Sequence, residues 1–422
     1  MRTALAGTRG AQAGRPGRAA AAPDDVRALR AAIPEEAAQA CLARYGDRLR
    51  ALVLTGSLAR DEATFVREPG GWCLLGDADF LLVLHEGQAL PPDGDLRRAA
   101  DEIEAALASG GVRCHVGLAA VGPVYLRRLP PSIFAYELRA CGRVVRGDGA
   151  VLRLVRAISM ADIPLEDAWR LLANRIVEQL ETLADGPGAG VTSDAGGYRT
   201  VKLYLDMATS LLLFAGGYAP TYAERLDNLR RLADGPTPRD AWPFLLGEFA
   251  EAVAACTCSK LNGNLPAAPT RRSLWERAVE HAERLWRWEL ARLTGLGSDA
   301  SNRQLLEVWM RRQSRRQRLR GWLSVLRREG WQRSWREWPR WAELALGGSP
   351  RYWVYFVAGP LFFSLPALLE SAGREAPSSH WGAIRRFLPV PEPLPSGGDT
   401  AWRELAAAVA WNYSHFLVGT RA

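Results

Sequence analysis

The stretch "GDADFLLVL", residues 76–84, sets two aspartates one residue apart at the start of an apolar run. Residues two apart in a strand project from the same face. Asp77 and Asp79 therefore point together, with Leu81 and Val83 continuing that side. Unpaired carboxylates so placed repel each other and lose hydration. One way out is an exposed strand end, with each aspartate bonded to a local amide. The other is a divalent cation, since Mg²⁺ takes oxygen ligands and commonly uses one or two carboxylates together with phosphates. In either case the apolar length of the strand belongs in a core and its acidic start at an edge.

Twenty residues upstream, "LTGSLARDEAT" takes an apolar strand into Gly56-Ser57 and then into polar residues suited to opening a helix. Gly56 lets a backbone come close to a phosphate. Ser57 adds a hydroxyl, and amides at the start of a following helix attract an anion. Arg60 follows closely enough to reach the same phosphate, or else belongs to the first turn of a solvated helix. Gly-Ser alone is a common turn. Beside a carboxylate pair on the next strand it gains weight, because nucleotide chemistry needs both a phosphate cradle and a metal-binding pair.

A chain of 422 residues has room for two or three domains. Helical spacing begins at "DDVRALRAAI" and resumes after Pro34, with Ala37, Cys41 and Tyr45 on one face. Strands follow in "ALVLTGSL", "DADFLLVL" and "VRCHVGLAAV", the last two separated by an amphipathic helix that Gly110 terminates. The expected organisation is α+β: a tail over 1–24, read as disordered, a small mixed-sheet domain over 25–150, helices over 151–300, and a basic, tryptophan-rich helical region over 301–422. The tail has no secretory apolar stretch, and the six cysteines lack paired metal-ligand spacing. The chain reads as cytoplasmic, with reduced thiols mostly in the core.

Taken together, "TGSLARDEA" and "GDADFLLVL" resemble the signature of the DNA polymerase β-like nucleotidyltransferase superfamily, over roughly residues 25–150. The region "YRTVKLYLDMATSLLLFAGGYAPTYAERL" is similar, more weakly, to the helical companion of stand-alone bacterial and archaeal members. The resemblance implies transfer of a nucleoside monophosphate from an NTP, ATP above all, with Mg²⁺ or Mn²⁺ held by Asp77 and Asp79. It implies phosphate contacts from Gly56, Ser57, Arg60 and Lys202, the last sharing a helix face with Arg199. For Lys202 a solvated helix face is an equal reading. Tyr198 and Tyr204 suit base stacking or, more simply, core packing.

Two departures stand out. Twenty residues separate Gly56 from Asp77, and "FVREPGGWCLLG" has the look of an inserted hairpin or loop. The superfamily's third carboxylate, on the later strand, is missing, since the candidate positions hold His115 and Gly117. Three options stay open: His115 as a base, Glu137 entering from another element, or a site that binds nucleotide without transferring it. The plainer roles are a strand histidine for His115 and ion pairing with Arg139 or Arg143 for Glu137.

The net charge of +8 is not spread over the chain. Residues 301–341 hold twelve arginines against Glu307, Glu329 and Glu337, a local +9 that leaves −1 elsewhere. Residues 311–318 contain nothing apolar, so this stretch is expected to be solvated or bound to an anion. Ten of the sixteen tryptophans fall between 275 and 353. Arginine beside aromatics over 303–340 suits RNA or an anionic membrane surface, which would make the protein peripheral at a membrane. The uncharged "YWVYFVAGPLFFSLPALL" approaches spanning length, but Pro360 and Pro366 favour a broken buried helix. Two non-enzymatic classes compete with the transferase: a nucleotide-binding regulator with an incomplete site, and an RNA- or membrane-binding protein. No Walker loop, dinucleotide fingerprint, zinc spacing or Ser/His/Asp arrangement supports another enzyme class.

Overall fold

The computed structural model describes residues 23–184, 186–297, 299–370, 378–391 and 401–416. The expected tail thus lies almost wholly outside the described residues. The first elements are α1 (Pro23–Tyr45), β1 (Leu49–Thr55), α2 (Gly56–Ala59), β2 (Thr64–Glu68), β3 (Gly71–Leu84), α3 (Asp93–Ser109), β4 (Val112–Val121), α4 (Pro123–Arg127), α5 (Ile133–Cys141) and β5 (Arg143–Gly147). Helices follow: α6 (Leu165–Ala184), α7 (Pro187–Thr192), α8 (Asp194–Phe214), α9 (Tyr222–Ala233), α10 (Leu246–Asn262), α11 (Ala268–Thr294), α12 (Asn302–Arg311), α13 (Arg315–Gly347), α14 (Pro350–Phe363), α15 (Leu365–Glu370), α16 (Ser378–Arg385) and α17 (Ala401–Phe416). The fold is α+β, a mixed-sheet part followed by a largely helical one.

The sheet runs β2-β3-β1-β5, all antiparallel, with β4 parallel to β3 on its other edge. The stretch between Gly56 and Asp77 is a hairpin: Thr64–Glu68 pairs with Gly71–Leu75, lengthening β3 beyond the expected strand. Alternation divides β3 between two cores. Phe80, Leu82 and Leu84 face α1 and α3, where Ile33, Ala37, Cys41 and Ile103 are buried. Leu81 and Val83 face Val53, Val121, Leu126 and Leu138 on the opposite side. Asp77 and Asp79 share the parity of this second face.

Helix α1 runs unbroken through Pro34, where two segments were expected. Proline there forgoes one backbone hydrogen bond, and Ile33, Ala37 and Cys41, fully buried around it, hold the helix together. After α3 the residue in the left-handed region is Gly111, at φ +78°, one past the expected cap at Gly110.

The chain forms two compact units. The first comprises the residues through Asp167 together with Ala215–Asn228 and Ala254–Leu265; the second comprises Ala168–Phe214, Leu229–Val253 and everything from Pro266. The span 151–300 is thus shared between them. In the first unit the returning segments are fastened by named bonds: Thr64 donates to the carbonyl of Lys260 at 2.7 Å, and Glu62 accepts from the amide of Tyr222. In the second, Trp169 is fully buried among Trp309, Tyr352 and Tyr355. The segment 350–370 is apolar and long enough to cross a membrane, but most of its most apolar stretch is buried within the protein. It is broken at Ser364, as its prolines suggest.

All six cysteines are free, four of them buried. Burial pushes the thiols of Cys41 and Cys114 up to about 12, so both stay protonated and inert.

Candidate active site

Strand register brings the sequence-selected residues of the first unit together. Thr55, the last residue of β1, lies opposite Asp79, and its hydroxyl donates to the Asp79 carbonyl at 3.3 Å. Gly56 therefore leaves the strand directly beside that aspartate. Its φ of +70° is a backbone conformation glycine adopts without strain. A Cβ at Gly56 would stand 3.2 Å from Asp79 Oδ2.

On the other side of β3, the parallel register pairs Asp77 with His115 and Asp79 with Gly117. A Cβ at Gly117 would stand only 2.5 Å from Asp79 Oδ1. The Asp79 carboxylate is thus seated between two glycines, one just past the end of β1 and one on β4, each leaving room for one oxygen. Asp77 and Asp79 are both half-buried. Beside Asp79, a small open recess is lined by Thr55, Leu81, Gly117, Ala119 and Phe134. Among the described residues no three of His, Cys, Asp and Glu converge as a metal cluster.

His115 is one strand out from the pair. Its Nδ1 lies 2.8 Å from Glu104 Oε1, the same oxygen that accepts the Val116 amide. Its Nε2 is buried without a hydrogen-bond partner. Glu104 was not marked by the sequence; its position on the face of α3 toward β4 is a tertiary fact.

The helix expected after Ser57 is only the four-residue α2. One turn has no appreciable macrodipole, so a helix N-terminus does not supply the anion attraction. What the turn has instead is rigidity. The Leu58 carbonyl accepts from Arg143 at 2.7 Å, and the Asp61 carbonyl accepts from Arg30 at 2.5 Å. Arg60 is nearly buried, its guanidinium 2.8 Å from Glu62 and 2.6 Å from Glu137.

Glu137 pairs with Arg60 and Arg225 and accepts from the Tyr218 hydroxyl at 2.6 Å, where Arg139 or Arg143 was the expected partner. Burial pushes its carboxyl up, but Arg60 and Arg225 outweigh this and hold it below the usual carboxylate range. Arg225 also lies over the rings of Tyr218 and Tyr222. These residues of the 215–228 segment escaped sequence reasoning. Nothing in "YAPTYAERL" marks Arg225 as a core residue, although it is only 3% exposed.

Lys202 belongs to the second unit. It is half-buried on α8, with its ammonium 5.9 Å from the Tyr198 ring and near enough to Glu178 to help hold that carboxyl low. Tyr204 is fully buried, its hydroxyl 3.3 Å from His281 Nδ1, a core role.

No protein-family model matches this chain, and no curated protein matches it. Among solved structures it is similar to spectinomycin adenyltransferase AAD(9) from Enterococcus faecialis, a crystal structure with ATP and spectinomycin. The two are 14% identical with a TM-score of 0.35, over 60% of this chain and 98% of that one.

Proposed function

We propose that this protein is a nucleotidyltransferase that moves a nucleoside monophosphate, AMP from ATP, to an acceptor hydroxyl in a reaction dependent on a divalent cation. The observation that carries the reading is the seat of Asp79. Its carboxylate lies between Gly56 and Gly117, in step with Asp77 and directly beside the Gly56-Ser57 turn. A purely structural aspartate at a strand end has no need of two glycines clearing space around it.

The donor set fits Mg²⁺ or Mn²⁺. Two hard carboxylates on one strand face, half open, leave the remaining positions to triphosphate oxygens and water. Asp77 and Asp79 would hold the ion, which when bound polarises the α-phosphate and offsets the charge of the leaving group.

The remaining work falls to the chain. Gly56 and Ser57 present amides and a hydroxyl to the β- and γ-phosphates. Arg60, committed to Glu62 and Glu137, keeps that turn in place and is a positioning residue. The acceptor oxygen bonds to the α-phosphorus as the bond from that phosphorus to the pyrophosphate oxygen breaks. The acceptor proton passes to water, since His115 Nε2 is buried and its Nδ1 is held by Glu104. Glu137 is a poor alternative, already engaged by two arginines and a tyrosine. Lys202 has no part in the proposal.

The second reading, a nucleotide-binding regulator without transfer, draws on Gly117. With Asp79 seated over it, a third carboxylate has no place there. Thermal unfolding with each of the four NTPs, with and without Mg²⁺, tests the common ground, because a ligand selective for the folded state raises its stability. A Mg²⁺-dependent rise with ATP that disappears in Asp79→Ala supports a nucleotide site at the pair. No rise with any NTP removes both readings. Pyrophosphate release from ATP in the presence of candidate hydroxylated acceptors then separates transferase from regulator.

A further inference from the structure

The arginine-rich segment takes a form that its sequence only partly suggests. The run over 311–318 crosses a helix break: α12 ends at Arg311, and α13 opens at Arg315 behind a Ser314–Gln317 capping box. Two arginines in it serve the fold. Arg312 donates to the carbonyls of Leu293 and Thr294 at the end of α11, and Arg318 donates to that of Leu346 at 2.6 Å. These were expected to be solvated or bound to an anion; they are spent as helix-end caps.

The rest of α13 has one buried face, with Trp322, Val325, Trp341 and Leu344, and one exposed face. At Gly330 (φ +75°) the helix breaks into two arms. The Arg318–Leu346 bond and the Trp322 donor to the Gly348 carbonyl fold the second arm back along the first. On the first arm Arg316, Leu319, Arg320, Leu323 and Arg327 recur at intervals of one, three or four and form one exposed stripe. Leu319 is 62% exposed there, and the arm's only acid, Glu329, is turned inward onto His415. On the second arm Trp335, Trp338, Ala342 and Leu346 form an exposed apolar stripe. Of the eleven large hydrophobics exposed among the described residues, five lie on α13, including the three most exposed.

We infer that the outer face of the α13 hairpin binds an anionic lipid bilayer. Charge complementarity supports this, because the exposed arginines have no acid among them on the first arm. The leucines decide between bilayer and RNA. Stacking on bases needs aromatic rings interleaved with the cations, whereas Leu319, Leu323 and Leu346 gain nothing from a base. All three gain from entering the headgroup–acyl boundary, where tryptophan also settles. The bilayer is held at its surface and not crossed.

Flotation of the full chain with vesicles tests the inference, using phosphatidylcholine alone and phosphatidylcholine containing 30% phosphatidylglycerol. Binding is expected to be at least about tenfold tighter to the anionic vesicles. The triple variant Arg316→Glu, Arg320→Glu, Arg327→Glu should lose at least about 100-fold, from the loss of surface attraction per basic residue and the repulsion of the new acids. A charge-neutral variant, Leu319→Ser, Leu323→Ser, Trp335→Ser, Leu346→Ser, should also lose at least about tenfold at constant salt. Urea midpoints equal to wild type confirm that both variants are folded, as expected for exposed positions. Equal binding to both vesicle types, or full binding by the serine variant, overturns the inference. So does tight binding to a single-stranded RNA 20-mer with none to anionic vesicles.

Discussion

Glu289, in the middle of α11, is fully buried, and neither of its carboxylate oxygens has a hydrogen-bond partner. Ser210, on the facing helix α8, lies near without completing a bond and pulls the carboxyl down only slightly against desolvation. Burial raises this acid from 4.5 to about 8. Such a shift makes stability depend on pH in a definite direction. Below pH 4.5 the group is protonated in both states and contributes its full stability. Between 4.5 and about 8 the unfolded chain has released the proton and the folded one has not. Stability then falls by about 1.4 kcal/mol per pH unit, to a total of about 5 kcal/mol at most. Glu289→Gln removes the ionisation while keeping the shape. It also leaves an amide short of partners, at about 1–3 kcal/mol. The variant should therefore equal wild type or fall below it at pH 5, and exceed it by about 2 kcal/mol or more at pH 8. Urea unfolding of both proteins at half-unit steps from pH 5 to 8.5 reads the difference directly. Parallel curves with no crossing would show that Glu289 is not held neutral in the folded state, and the reasoning would fail.

Three further outcomes follow from the site. Gly117→Asp introduces a carboxylate on β4 beside Asp79. Its Cβ would press on Asp79 Oδ1, so we expect weaker Mg²⁺-dependent nucleotide stabilisation and a stability loss of about 1–3 kcal/mol, read by thermal shift and urea unfolding. Gly56→Ala, at φ +70°, should cost about 1–2 kcal/mol and abolish the ATP-dependent shift, whereas Gly87→Ala, at φ +82° in a loop with open space around it, should show the stability cost alone. Arg225→Met strips a buried cation from Glu137 and should destabilise by about 3–5 kcal/mol; pairing it with Glu137→Gln in a double-mutant cycle should recover part of the loss.

The legible part of this protein was its local chemistry. Alternation in β3 set Asp77 and Asp79 on one side, and the strand Val112–Val121 was read closely enough that His115 and Gly117 fell at the positions the register confirms. The hairpin before Asp77 was visible as an insertion because glycine and proline mark its turn. What stayed hidden depended on distant partners. Glu104 looks like any surface glutamate of α3 until β4 lies beside it. Arg225 looks solvated until Glu137 and two tyrosines surround it. The single-turn α2 was hidden for the same reason: its residues and those just after it are bonded to Arg30, Arg143 and Glu137, all distant in sequence. In the arginine run, charge alone could not distinguish cations that cap helix ends from those that face outward.

The first unit is assembled from three pieces of chain, and this governs when it can exist. The Thr64 hydroxyl waits for a carbonyl 196 residues later, and Glu62 for an amide 160 residues later. Closing contacts over such distances slows folding. During synthesis the sheet and its Gly-Ser turn would leave the ribosome long before the residues that complete the bonding of Glu62, Thr64 and Glu137. Until Arg225 has emerged, Glu62 and Glu137 are acids without their full set of partners, and a fragment ending at 167 would be permanently in that condition. The nascent chain thus passes through a stage in which the sheet and its turn are present while Glu62 and Glu137 still lack their later partners, a window open to chaperones and proteases that the finished protein closes.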